Sequence, residues 1–155
     1  MNVVFVCTGN TCRSPLAEAL ARRMAQQRGL DATFASAGTG AALGAPANDG
    51  AILVGIERGV DLSRHRSRPL LPSAITSDTI VLAMDPGHIP GIRAVEANSR
   101  VFLLDDYSSS GATTRPVADP YGGDLADYRE AADSIEEMLV GVLDRLSVEN
   151  ARGTR

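Results

Sequence analysis

Cys7 and Arg13 stand six positions apart in the nonamer CTGNTCRSP (residues 7–15), between an apolar run and a helical pattern. A thiol beside a guanidinium and a helix N-terminus is readily held as the thiolate, the form that attacks. The same two features bind tetrahedral oxyanions: the guanidinium fork takes two oxygens, and amides at a helix start point at the anion. Between them lie Thr8, Gly9, Asn10, Thr11 and Cys12, small residues whose backbone can wrap such an anion, with Gly9 expected to relieve the turn. This pattern implies in-line attack of Cys7 on phosphorus and a cysteinyl-phosphate intermediate, with charge in the transition state held by the loop amides and Arg13. Ser14, if its hydroxyl reaches the sulfur, would steady the thiolate as it leaves in the second step.

Such a reaction needs a proton donor for the leaving group. The stretch VADPYGGD (117–124) supplies Asp119, followed by Pro120, which keeps the preceding residue extended. Asp119 would act first as general acid and then as general base for water. A lone Cys-x5-Arg or Asp-Pro is a weak signal, and most Asp-Pro pairs are turns. The nonamer set between a strand and a helix is far more specific.

The flanking elements follow from pattern. Residues 2–6 read as a buried strand, and Pro15 suits a first helical position with Ser14 as N-cap. Leu16, Leu20 and Met24 recur every four residues, with Gly29 closing that helix. Strands are also expected at 31–38, 79–84 and 100–104, and helices at 46–58 and 124–147. Residues 85–97 form a poor helix, broken by Pro90 and Gly91. Asp85 reads as a helix cap and His88 as a surface loop residue; Tyr107 and Tyr128 have no evident role. Strands alternating with helices predict one open α/β domain with a four-stranded parallel sheet and helices on both faces. Ligands in such sheets bind beyond the carboxyl ends of the strands, where Cys7 falls.

Bulk properties narrow the classes. A chain of 155 residues fits a single domain, here residues 1–150 with a tail at 151–155. No apolar run approaches the roughly 18 residues of a membrane span, and Met1 onward shows no secretion signal, so a cytoplasmic location without membrane contact is expected. All 15 basic residues are arginine, which excludes a Walker-type loop with its lysine. A net charge of −4 argues against nucleic acid as a partner. The run Arg64–Arg68 reads as a solvated loop. Two cysteines make neither a disulfide framework nor a zinc site, so no metal or cofactor is expected. Cys12 either fills space behind the loop or forms a reversible, protective disulfide with Cys7.

Taken in order, FVCTGNTCRSPLAEAL (5–20), ASAGT (35–39), LSRHRSRPL (62–70), VLAMD (81–85) and DPYGGD (119–124) resemble the low-molecular-weight protein tyrosine phosphatase family over nearly the whole chain. The resemblance implies a parallel sheet of order 2-1-3-4, with Cys7 as nucleophile, Arg13 as phosphate clamp and Asp119 as general acid. It also implies that Asn10 and Ser36 brace the loop with His65 in support, and that Tyr121 walls the substrate cleft. Phosphorylated proteins would be the substrates of a monomer, and phosphate, sulfate or vanadate would occupy the loop. Thr11 departs from the larger aliphatic residue of tyrosine-specific members and looks like the protein arginine phosphatase branch. A hydroxyl there can accept from a guanidinium N–H, and the branched side chain narrows the pocket. Gly122 replaces a second aromatic found in many members.

Three other readings are weaker. Arsenate reductases of similar fold relay a disulfide through downstream cysteines that this chain lacks. The stretch GTGAALG (38–44) has the wrong glycine spacing for a dinucleotide site. A non-catalytic phosphoprotein binder would have no need of Cys7, Arg13 and Asp119 together.

Overall fold

Four apolar segments pair side by side in the computed structural model, which describes residues 1–153. They are Asn2–Cys7 (β1), Thr33–Gly38 (β2), Thr79–Ala83 (β3) and Arg100–Leu103 (β4). All pairs are parallel, in the order β2-β1-β3-β4. The two central strands, β1 and β3, are buried on both faces, as continuous Val, Ile, Leu and Phe runs require.

Side-chain alternation along β1 divides the core. Val3, Phe5 and Cys7 point to one face. There they meet helices Arg13–Arg28 (α1), Asp49–Glu57 (α2), Leu104–Ser109 (α4) and Leu125–Gly153 (α5). Val4 and Val6 point to the other, against Leu70 and Ile92 of helix Ile89–Val95 (α3). The one-sided pattern of α5 is buried as its spacing predicts, from Ile135 and Met138 through Leu146. Thr154 and Arg155, within the expected tail, lie outside the described residues.

The structure differs from the sequence-based boundaries at three instructive places. Helix α1 begins at Arg13 with Cys12 as N-cap, and Ser14 makes no capping bond; its hydroxyl is used inside the loop instead. Pro90 does not break α3 but sits in its first turn, where no N–H is needed. Helix α4 follows β4 directly and is too short to show a period; its signals are Asp105 and Asp106 in the first turn and Ser110 in the left-handed region at its end. By contrast, Gly29 closes α1 as expected, at φ +64°, with the Leu30 N–H bonded back to Ala25.

Gly38 fastens the second strand to the Arg68–Leu70 stretch while packing closely against the loop after the first strand. Its N–H donates to the Arg68 carbonyl at 3.0 Å, and its own carbonyl accepts from Leu70 at 2.9 Å. A Cβ here would run into the Thr8 carbonyl oxygen and come within 2.7 Å of the Ala41 Cβ and 3.1 Å of the Asn10 nitrogen. Gly38→Ala should therefore cost about 1–3 kcal/mol in urea denaturation, the usual cost of overpacking, and weaken phosphate binding. A variant as stable as the parent would mean that this contact relaxes freely.

Candidate active site

Beyond the carboxyl end of β1 lies a cleft of about 240 Å³, assembled from three stretches of chain. The loop from Cys7 to Arg13 forms its floor, Asn48 at the start of α2 one wall, and Asp119 with Tyr121 another. Short main-chain bonds fix these pieces relative to one another. The Cys7 and Thr8 carbonyls accept from Thr39 and Gly40, and the Thr11 carbonyl accepts from Asn48 at 2.8 Å. Val117 N–H donates to Met84 at the end of β3, which sets the path of the chain leading to Asp119.

Asn10 shapes the floor. It is fully buried and adopts φ +55°, the left-handed region that asparagine tolerates better than most residues. The expected relief at Gly9 is thus a correction: the turn's unusual backbone belongs to Asn10. Its Nδ2 donates to Ser14 Oγ at 2.9 Å and Ser36 Oγ at 3.0 Å, and its Oδ1 accepts from the Arg68 N–H at 3.0 Å. His65 Nε2 approaches the Asn10 carbonyl at 2.7 Å. With these anchors in place, the amides of Thr8 through Arg13 donate to no protein acceptor among the described residues. Six consecutive donors at a helix start are a nest for an oxyanion.

The run Arg64–Arg68 is therefore only partly a solvated loop. Arg64 and Arg66 are exposed, but Ser67 is buried and Arg68 also donates from Nε to the Ser36 carbonyl. His65 and Arg68 brace the loop from behind.

Cys7 Sγ lies 2.9 Å from Ser14 Oγ. Because that oxygen already accepts from Asn10, the Ser14 hydroxyl proton is available to the sulfur. Cys12 differs. Burial, with the charge of Cys7 adding to it, pushes its thiol up to about 12, so it stays protonated and packs in the core. Both thiols are free.

Arg13 is almost wholly buried. Its Nη1 donates to Asp85 Oδ2 at 3.0 Å and to the Val117 carbonyl at 3.1 Å. Nη2 lies 3.6 Å from Asp119 Oδ2. One corner of the guanidinium is thus anchored, and the Nε–Nη2 edge keeps its donors. Burial opposes the charge on Asp85, but Arg13, His88 and the Gly87 N–H outweigh it and hold its carboxyl below the usual range. Asp85 is the expected cap, accepting from Gly87 N–H at 2.8 Å, and in addition the anchor of Arg13. Asp119 Oδ1 accepts from the Tyr121 N–H at 3.1 Å, and the Tyr121 ring stands 79% exposed at the rim.

Sequence reasoning missed three contributors. His88 is no surface residue but 4% exposed, with Nε2 3.0 Å from Thr8 Oγ1. Asn48 lines the cleft and reaches the Tyr128 hydroxyl at 3.4 Å, which places Tyr128 behind that wall. None of the three has a distinctive neighbourhood in sequence. A larger groove, about 630 Å³, runs along the open edge of β2 past Phe34 and Leu71. It holds neither cysteine and no carboxylate, so its size does not make it the reactive site.

Asn10→Gly should lose the three side-chain bonds, and Asn10→Ala should add left-handed strain to that loss. Both should be less stable than the parent by about 2–4 kcal/mol, with the alanine variant lower than the glycine variant by about 1 kcal/mol. Equal stabilities in urea would remove the strain from this account.

Comparison with known proteins agrees with the site. The family model described as low molecular weight phosphotyrosine protein phosphatase matches residues 2–152. A protein-arginine-phosphatase of Geobacillus stearothermophilus is 40% identical over 95% of this chain and 97% of its own. Low molecular weight protein-tyrosine phosphatase A of Mycobacterium tuberculosis is 37% identical over 98% and 95%. Among solved structures, a YwlE arginine phosphatase with a phosphorylated active-site serine superposes with a TM-score of 0.89, at 36% identity over 95% of this chain and 96% of that one. The chain belongs to the low molecular weight phosphotyrosine protein phosphatase family.

Proposed function

We propose that this protein is a cysteine-dependent protein phosphatase that prefers phosphoarginine. In this reading Cys7 attacks phosphorus, and the leaving nitrogen takes a proton from Asp119. Asp119 then deprotonates the water that cleaves the cysteinyl phosphate. The loop amides and the Nε–Nη2 edge of Arg13 hold the phosphoryl oxygens, and the Ser14 hydroxyl receives the sulfur as it departs. The observation that carries the reading is the set of six loop amides without a protein acceptor beside a sulfur already 2.9 Å from a hydroxyl.

The preference rests on the cleft wall. A phosphoarginine side chain presents guanidinium N–H groups that need acceptors, whereas a phosphotyrosine ring needs a flat apolar slot. Thr11, Asn48 and Asp119 all line this cleft and all carry acceptor oxygens. The resemblance of Thr11 to arginine-specific members points the same way. The exposed Tyr121 ring supports the alternative, phosphotyrosine, since it offers one aromatic wall. Overall identity does not separate the two, because relatives named for either substrate match about equally.

Matched phosphoarginine and phosphotyrosine peptides decide between them. Thr11→Ile should lower kcat/KM on the phosphoarginine peptide by about tenfold, one lost hydrogen bond's worth, and leave or raise that on phosphotyrosine. An unchanged ratio would place specificity elsewhere, and a parent enzyme faster on phosphotyrosine would overturn the preference.

A further inference from the structure

We propose that His88 is a positioning residue for the oxyanion site, and that a proton on its Nδ1 loosens the hold of Asp85 on Arg13. The inference concerns the Arg13 clamp of the proposed phosphatase and is independent of which phosphorylated side chain enters.

His88 ends the single 3₁₀ turn Pro86–His88 that follows β3. Its ring is buried and both nitrogens are used. Nδ1 accepts the Asp85 N–H at 3.2 Å, so that nitrogen carries no proton and Nε2 carries the hydrogen. Nε2 then donates to Thr8 Oγ1, 3.0 Å away. One imidazole thereby ties the first residue of the floor loop to the residue that anchors Arg13. Asp85 is fixed from both sides, its N–H by the ring and its Oδ1 by Gly87, which leaves Oδ2 aimed at Arg13.

This arrangement is built for the neutral ring. Protonation at Nδ1 would set two donors, the new N–H and the Asp85 amide, against each other in a buried place. The imidazolium's nearest carboxylate oxygen is Asp85 Oδ2, 3.6 Å from Nδ1. That is the same atom that Arg13 Nη1 holds at 3.0 Å. A proton on His88 therefore enters direct competition with Arg13 for one oxygen. The charged groups that act on the ring are Asp85, Arg13 and Asp119. Burial, with Arg13 adding to it and the two carboxylates opposing, holds the imidazole below its usual range, so the ring is neutral at pH 7 and the loosening sets in on the acid side.

His88→Asn tests this, because a shorter amide can still accept the Asp85 N–H but does not titrate. Profiles of kcat/KM on an aryl phosphate and of inorganic phosphate binding are measured from about pH 5 to 8 for parent and variant. The ionisation of the phosphate is common to both proteins and cancels in their ratio. The variant is expected to be weaker at neutral pH, through loss of the Thr8 tie, and to regain ground several-fold relative to the parent as pH falls. Profiles that superpose after scaling would overturn the proposal, as would a His88 ring that titrates in NMR without any change in phosphate affinity. Should the parent bind phosphate yet hydrolyse no ester, the phosphatase reading fails while the binding profiles still judge His88.

Discussion

Asn10, held in a left-handed conformation by its own side chain, sets the geometry on which the rest of the site relies. A residue in that region reverses the direction of successive amides, so the chain from Thr8 to Arg13 curls around a point instead of running on. Such a conformation persists only when its surroundings over-determine it, and here they do. Two serines, one backbone amide and one histidine, from three different stretches of chain, hold a single asparagine. Ser14 belongs to the helix, Ser36 to the second strand, and His65 and Arg68 to the loop that crosses behind. The loop's shape is thus a property of the whole sheet, and Gly38 is the place where backbone must approach backbone for this to work.

Charge completes what shape begins. Arg13 sits where an unpaired guanidinium would cost several kcal/mol, and Asp85 offsets that cost, less than fully because its carboxylate is about one-third exposed to solvent. The Asp85 pairing uses only Nη1, so this anchor and an incoming dianion do not compete for the same donors; only Asp119, 3.6 Å from Nη2, borders the free edge. The two cysteines illustrate the same economy. Both line the cleft and both reach the apolar core, but Cys12 keeps its proton, whereas Cys7 has a hydroxyl at its sulfur. Both thiols are buried, and it is the Ser14 hydroxyl at the Cys7 sulfur that sets the two apart.

Most of the fold and the chemical core of the site were legible in the sequence, for physical reasons. Buried parallel strands write themselves as unbroken apolar runs, and α5 is long enough to display its period. Cys7, Arg13 and Ser14 lie within one turn of chain, so spacing alone suggested their meeting. What stayed hidden depends on tertiary approach. Sequence points to Gly9 for the left-handed strain because glycine bears it most cheaply, yet the side-chain anchors make Asn10 the residue that bears it. His88 reads as a loop residue because its distant partner, Thr8, is brought to it only by the pairing of the first and third strands. Ser14 has the right type and place for a cap, but a better-paid use of its hydroxyl lay inside the loop.

The central claim is that Cys7 receives the phosphoryl group while the loop and Arg13 hold its oxygens. A rapid-quench single turnover, followed by mapping of the phosphorylated peptide, addresses it most directly. The account predicts a burst of leaving group equal to the enzyme present, with the phosphoryl group on the Cys7 sulfur. Leaving-group release with no phosphorylated Cys7 at any time, or the label on another side chain, would contradict it.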